Sequence, residues 1–398
     1  MQIKLKGSKS ITNRALVLSY LAKTRLLNIG ECEDTYFMQQ GLSQLKKAKP
    51  GRIFLGNAGT AVRFLTSLAS TENKQVTITG SKRMHERPIK QLTDALTKLG
   101  AKLEPSPTGC PPINIQPSTL KGGTVEILGN ISSQYITSLL LVSPIMEKGL
   151  TIRIKGELTS KPYVEMTLNL LKKFGIKTTT TKTFSTIKVK PGQKLKAPKS
   201  GALFIEGDAS SASYLGAYAA LTPDHPVTIR NIPKNSIQGD LEFTKHLHKM
   251  GCKISHKENT IKIQGPETLK TLGTVDMNAT PDLVMTFAVL AALTPGTTRL
   301  TNIANLKIKE CDRLKALENE LKKLGVTTKT GKDYIEIKGG HPLKKFARIK
   351  TYNDHRIAMA FGVLKKTVRP HLQIQKPSVV RKSYPEFWSD LNKLNRNK

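Results

Sequence analysis

Residues 96–104 read LTKLGAKLE, and the phrase returns as LKKFGIKTT at 171–179, LHKMGCKIS at 247–255 and LKKLGVTTK at 321–329. Each copy is an apolar helical stretch, then a glycine, a small or apolar residue and a polar, strand-like run. A glycine in that place is a common helix stop, because the backbone there turns left-handed. The glycines Gly100, Gly175, Gly251 and Gly325 follow one another at steps of 75, 76 and 74 residues. So regular a step marks copies of one structural unit.

A second phrase interleaves with the first. It is a short β-rich run: LLNIGE (26–31), VTITGS (76–81), TIRIKG (151–156), VTIRNI (227–232), RLTNIA (299–304) and HLQIQK (371–376). Anchored on Ile29, Ile78, Ile154, Ile232, Ile303 and Ile374, the steps are 49, 76, 78, 71 and 71 residues. There are thus six copies, and the first is short. The period exceeds the roughly 20 to 50 residues of solenoid repeats, and each copy mixes helical and strand periodicity. Six small α/β modules, grouped as two domains of three, fit a chain of 398 residues.

Helix signals agree with this reading. Ile89, Leu92 and Leu96 form one apolar stripe after Arg87-Pro88, and Val164, Leu168 and Leu171 form another after Ser160-Lys161-Pro162. In the second, Ser160 is expected to cap the helix and Pro162 to sit in its first turn.

Hydrophobic residues make up 38% of the chain and glycine adds 29 positions, an ordinary globular content that excludes wholesale disorder. The charge is unusual: 64 Lys+Arg against 29 Asp+Glu leave +35. Such a field attracts anions of any kind, nucleic acid, lipid or phosphorylated metabolite, without choosing among them. Cys32, Cys110, Cys252 and Cys311 lie far apart with no CxxC pair, which indicates neither a zinc site nor a disulfide scaffold. The longest apolar stretch, Leu283 to Leu293, falls short of the ~18 residues needed to span a bilayer. A cytoplasmic, membrane-free protein is expected, with a basic tail, Lys393 to Lys398, as a solvated end.

Several polar segments follow the β-rich runs or open helices. GSKSITNR (7–14) lacks the upstream glycine of an ATP-binding loop, leaving a small-residue turn whose free N–H groups suit an anion, with Lys9 and Arg14 adding charge. GNAGTAVR (56–63) follows the same logic. NISSQY (130–135) opens a helix, so that Ser132 or Ser133 reads as an N-cap. Asp282 stands at the start of an apolar helix, where a carboxylate answers the dipole. Glu310, between Lys309 and Cys311 with Arg313 nearby, reads as an exposed ion pair, and His355 in YNDHR as a structural histidine.

In this order, GSKSITNR, GNAGTAVRF, RMHERPI, SSQY, SKPY, EGDASSASY, PD, NLKIKECDRL, TYNDHR and RKSYP resemble the enolpyruvyl transferase family, from about Lys6 to Trp388. The resemblance implies a two-domain, inside-out α/β barrel of six βαβαββ modules, three per domain, with the first module shortened at AKPGR (48–52). It places one domain at 9–207 and the other at 1–8 plus 208–398. The implied reaction transfers the enolpyruvyl group of phosphoenolpyruvate to the 5-hydroxyl of shikimate 3-phosphate, releasing phosphate, by addition and elimination through a tetrahedral intermediate. Neither cofactor nor metal is implied, and a monomer that binds no nucleic acid is expected.

By the same resemblance, Lys9, Arg87, Arg313, Arg356 and Lys382 face phosphoenolpyruvate, with Asn57, Gly59 and Gln134 beside it. Ser10, Arg14, Ser132, Ser133, Gln134, Ser160, Tyr163, Asp282, Asn305 and Lys309 face shikimate 3-phosphate. Asp282 fits the base for the attacking hydroxyl and Glu310 the acid for the methylene carbon, while Lys9 and Lys309 relay protons or stabilise the intermediate. Two alternatives differ in what they require. The UDP-N-acetylglucosamine enolpyruvyl transferases carry a loop cysteine just before an Arg-Pro pair, where this chain has SKRMHERP (81–88). A basic nucleic-acid-binding protein would want stacking aromatics, and aromatic residues are only 5% here.

Overall fold

The computed structural model describes residues 1–368 and 371–395; of the basic tail, residues 396–398 lie outside the described residues. The repeated glycine phrase is a helix end in all four copies. The helices Lys90–Lys98, Lys161–Lys173, Phe243–Lys249 and Arg313–Lys323 stop two residues before Gly100, Gly175, Gly251 and Gly325, whose φ angles are +108°, +81°, +101° and +83°. Each is a Schellman turn. The amides of Ala101, Ile176, Cys252 and Val326 donate back to the carbonyls of Leu96, Leu171, Leu247 and Leu321 at 2.9–3.1 Å. The two residues of each pair are buried, which is the apolar clasp that accompanies this turn.

Next to each glycine turn a hairpin begins. Among the described residues there are six sheets, and four of them share one plan. A parallel pair, joined through a helix in three of the four, is extended by a second helix and an antiparallel hairpin. The strand Gly51–Phe54 pairs parallel with Val76–Thr79, which pairs antiparallel with Ile113–Gln116 and it in turn with Lys102–Pro105. All six β-rich runs of the sequence supply the second strand of a module. The first sheet of this series, Ala202–Phe204 with Arg25–Leu27, has two strands, as the short first copy predicts. Arg348–Ile349 with Gln373–Ile374 also has two, a reduction that HLQIQK does not signal, because the run still forms its strand.

The chain divides into two compact units, Lys9–Ile205 and Met1–Ser8 with Glu206–Lys398. Each unit holds two four-stranded sheets and one two-stranded sheet, and one strand of each comes from a distant part of the chain. Gln2–Lys4 pairs parallel with Val227–Arg230, and Ala202–Phe204 with Arg25–Leu27.

Within each unit the first helix of each complete module is in the middle. All residues of Gly59–Ala69 are buried, as are all but Gln134 in Ser133–Val142, all but Ser210 in Ala209–Ala220 and all but Leu293 in Val284–Leu293. A helix apolar on every side belongs inside, and the strands outside alternate buried and exposed residues, as in Ile113–Gln116. Small polar residues tie the inner helices to one another and to their neighbours: Ser138 Oγ donates to the Arg63 carbonyl at 2.6 Å, and the hydroxyls of Thr137 and Thr167, the latter on Lys161–Lys173, meet at 3.1 Å.

Sequence and structure differ at Ser160. It holds the N-cap position of Lys161–Lys173, but its φ of +55° is left-handed and its hydroxyl makes no capping bond. A left-handed non-glycine residue costs roughly 1–3 kcal/mol and persists where its surroundings fix it. Of the expected stripe, Val164 and Leu171 are buried and Leu168 is half-buried, with Met166 and Leu170 completing the buried face.

Alanine at these glycine turns separates backbone strain from crowding. At Gly325 an added Cβ meets only the flexible Lys344 side chain at 3.5 Å, so Gly325→Ala should lose about 1–2 kcal/mol through its φ alone. At Gly100 the Cβ would stand 2.8 Å from the Thr119 carbonyl oxygen. Gly100→Ala should therefore lower the urea midpoint by clearly more than Gly325→Ala.

Candidate active site

In the unit Lys9–Ile205, four helices start at one end of their bundle: Lys9–Ala22, Gly59–Ala69, Ser133–Val142 and Lys161–Lys173. Side chains near those starts hold them together. Arg14 donates from Nη1 to the Ser10 carbonyl (2.8 Å), from Nη2 to the Tyr163 carbonyl (3.2 Å) and from Nε to Thr167 Oγ1 (2.9 Å). Gln134 Nε2 reaches Thr60 Oγ1 at 3.4 Å. None of the four has an acidic residue in its first turn. Their unshared N–H groups and dipoles therefore favour an incoming anion.

Cations crowd the same end. Lys9 opens its helix and lies 3.3 Å from Asp34 Oδ2. Gly59 opens the next, and a Cβ there would lie 2.7–2.8 Å from the guanidinium groups of Arg87 and Arg63, so only glycine lets the two arginines close over the helix start. Arg63 also donates to the carbonyls of Gly59 (2.9 Å) and Pro88 (3.1 Å), and Tyr135 Oη donates to Pro88 at 2.6 Å. Arg87 and Asn57 belong to this group. Ser132 does cap its helix, accepting from the Gln134 amide at 3.3 Å, and Ser133 and Ser160 are buried beside their helix starts. Gln134 Oε1 is buried and accepts no hydrogen bond, an acceptor available to a ligand donor. Burial lowers the Arg14 pKa to about 10, against a small opposing effect of Tyr163, so Arg14 stays charged at neutral pH.

The second unit gathers its charges differently. The inner helices Ala209–Ala220 and His355–Thr367 are capped by Asp208, which accepts from the Ser211 amide (2.8 Å), and Asp354, which accepts from the Arg356 amide (2.8 Å). Asp282 stands in the turn Pro281–Leu283 that leads into Val284–Leu293. Carboxylates thus occupy these helix starts, and arginines answer them. Arg313, 1% exposed, holds three acids at once: Asp354 Oδ2 at 2.7 Å, Glu310 Oε2 at 2.8 Å and Asp282 Oδ1 at 3.0 Å. Arg356 Nη2 takes the other oxygen of Asp282 at 2.6 Å, and Lys382 Nζ stands 3.8 Å from Glu310 Oε1. Asn305 is buried and Lys309 half-buried, both on the segment that leads to Glu310.

These contacts set protonation. Burial alone would lower the Arg313 pKa, but the charges of Asp354, Glu310 and Asp282 reverse the balance and raise it. Burial, then the charge of Arg356, holds His355 well below the ordinary histidine range, and both its ring nitrogens are buried without a hydrogen-bond partner. Burial, then the charge of Asp282, raises Asp240 to about 6. Among the described residues, no cluster of His, Cys, Asp or Glu could hold a metal ion, and no helix is long and apolar enough to cross a membrane.

Glu310 is not the exposed ion pair its sequence suggests: its side chain is 10% exposed and shared by Arg313 and Lys382. The sequence reading passed over Asp34, Asp240 and Asp354. Asp354 lies inside YNDHR, a motif already singled out, and the first-turn acid of the helix after Cys32 would have pointed to Asp34. Asp240 carries no local signal, since its partner Ser210 is thirty residues away.

A match to the EPSP synthase family, 3-phosphoshikimate 1-carboxyvinyltransferase, covers residues 1–391. The chain is 41% identical over 414 residues to the 3-phosphoshikimate 1-carboxyvinyltransferase of Hamiltonella defensa, covering 98% of this chain and 95% of that one. It is 40% identical over 417 residues to that of Shewanella halifaxensis, covering 98% and 96%. In fold it matches the solved EPSP synthase of Acinetobacter baumannii with a TM-score of 0.80 at 23% identity, over 99% of this chain and 95% of the other.

The raised Asp240 carboxyl predicts a pH-dependent difference. A folded-state pKa of about 6, above the unfolded value of 3.8, means the fold keeps the proton longer; the associated stability is present below pH 4 and lost as pH rises through 6. Asp240→Asn lacks this loss. Its thermal midpoint relative to the parent should rise between pH 4.5 and 7.5 in paired melts, and a constant offset would show that Asp240 titrates normally.

Proposed function

The chain belongs to the EPSP synthase family, and from that premise we propose which of its side chains carry each step of the family's reaction. The protein is a 3-phosphoshikimate 1-carboxyvinyltransferase. It transfers the enolpyruvyl group of phosphoenolpyruvate to the 5-hydroxyl of shikimate 3-phosphate in the shikimate pathway, with release of phosphate. The observation that carries this is about 40% identity to such enzymes across nearly the whole chain.

The two substrates bring two phosphates and two carboxylates, anions whose burial needs paired cations. In our reading Lys9, Arg87, Arg313, Arg356 and Lys382 receive phosphoenolpyruvate, with Asn57, Gly59 and Gln134. Ser10, Arg14, Ser132, Ser133, Ser160, Tyr163 and Asn305 receive shikimate 3-phosphate, Arg14 by fixing the Ser10 and Tyr163 backbone. Asp282 takes the proton from the 5-hydroxyl, Glu310 protonates the methylene carbon, and Lys9 and Lys309 stabilise charge on the intermediate.

The ion pairs of the free protein suggest how the two acids are timed. Asp282 has both oxygens held by arginines and Glu310 lies between Arg313 and Lys382, contacts that keep both ionised and weakly basic. Phosphoenolpyruvate competes for the same three cations. As they turn to it, each carboxylate loses a counter-ion and becomes a better proton acceptor, Asp282 for the proton of the 5-hydroxyl and Glu310 for a proton from solvent that it then passes to the methylene carbon. Substrate binding thereby activates the groups that act on it. We further infer that the two structural units correspond to the family's two domains and that the enzyme works as a cytoplasmic monomer. Its four free thiols, three of them buried, suit a reducing compartment.

The test is phosphate release from the purified protein. Release should require both substrates. Asp282→Asn keeps the shape of the side chain but cannot take a proton, so turnover should fall by about 10²–10⁴-fold with the circular dichroism spectrum unchanged. Turnover within threefold of the parent would remove Asp282 from the base role.

A further inference from the structure

The shortened first module leaves a place unfilled. In the four complete modules the second strand carries the antiparallel hairpin on its far side, as Val76–Thr79 carries Ile113–Gln116. The equivalent strand, Arg25–Leu27, pairs with Ala202–Phe204 on one side and, among the described residues, with no strand on the other. The helix that follows it, Glu33–Leu45, is joined to the strand Gly51–Phe54 by five residues where the other modules place a hairpin.

A cavity of about 470 Å³ lies beside this strand. Its walls are Leu16, Ser19, Tyr20 and Lys23 from the first helix and its end, Gln39, Leu42, Ser43 and Lys46 from the second, and Thr24 and Arg25 at the strand. In both helices the four residues stand at i, i+3, i+4 and i+7, one face of each. Ligand sites commonly measure about 300–1,000 Å³ and join apolar walls to a few placed polar groups. This cavity has that make-up. Leu16, Leu42 and the Tyr20 ring form the apolar part, the Tyr20 hydroxyl being taken up by Glu72 Oε1 at 3.0 Å. Lys23, Arg25 and Lys46 supply the only charges among the lining residues, all positive.

We propose that this cavity binds a small aromatic carboxylate, its ring against Tyr20, Leu16 and Leu42 and its carboxylate among Lys23, Arg25 and Lys46. The lining residues Leu16 to Lys23 lie seven to fourteen positions along the helix from Lys9, about 10–20 Å at 1.5 Å per residue. The cavity is therefore separate from the helix starts described above. A bare phosphate satisfies the cations but leaves the apolar wall wet, and it should bind far less well.

Calorimetric titration with naphthalene-1-carboxylate, in parallel with inorganic phosphate, tests this in the presence of saturating shikimate 3-phosphate. The carboxylate should bind at one site and phosphate should not. Arg25 and Lys46 are exposed, so Arg25→Ala/Lys46→Ala should fold normally, keep its turnover number and bind the carboxylate about tenfold more weakly, as expected for two exposed charge pairs. Gln39→Trp, at another exposed wall position, should block binding by filling the mouth. The proposal is overturned if the parent shows no binding at millimolar carboxylate, if both variants bind as the parent does, or if omitting shikimate 3-phosphate is what makes binding appear.

Discussion

A helix enclosed on all sides can meet solvent and incoming charged groups only at its ends, and that constraint organises both units. Packing the inner helices against one another buries their flanks, so the charged groups of the candidate site gather at the helix starts. The two bundles then settle the dipole in opposite ways. In Lys9–Ile205 the four helix starts described above carry no acids, and lysine and arginine gather over them. In the other unit Asp208 and Asp354 already occupy N–H groups, and buried arginines neutralise Asp354 and Asp282. One surface presents cations and helix starts without first-turn acids; the other holds acids already paired with cations.

Much of this could be read in the sequence because its strongest signals are local. The glycine of LTKLGAKLE fixes a helix end through two hydrogen bonds within six residues, so the phrase alone located four turns. The β-rich runs found six strands for the same reason. What stayed hidden is long-range. Three residues, Gln2–Lys4, carry no pattern that could choose Val227–Arg230 as partner, and HLQIQK reads as a strand whether or not a hairpin is added beyond it. Ser160 looked like a cap because Ser-Lys-Pro usually is one, and tertiary packing set it left-handed instead. The candidate acids Asp282 and Glu310 were legible through a ten-motif order. The guanidinium that joins them to Asp354 links two modules and has no linear signature.

The surplus of positive charge belongs elsewhere. Around Arg313 the named groups balance, with Asp282, Glu310 and Asp354 facing Arg313, Arg356 and Lys382. Lysines instead line the solvent faces of the outer strands: Lys188, Lys253, Lys262, Lys329 and Lys338 are exposed and alternate along their strands with more buried positions. On sheets with open edges, such lysines discourage pairing between molecules.

The exchanged strands impose an order on synthesis. The unit from Lys9 to Ile205 contains both partners of its two-stranded sheet, and can close as soon as Ala202–Phe204 has left the ribosome. The segment Met1–Ser8 emerges before that unit and has its strand partner, Val227–Arg230, only more than two hundred residues later. A nascent chain of this protein therefore carries one finished body tethered to an idle strand. Any factor that captures exposed strands has that whole interval in which to find it.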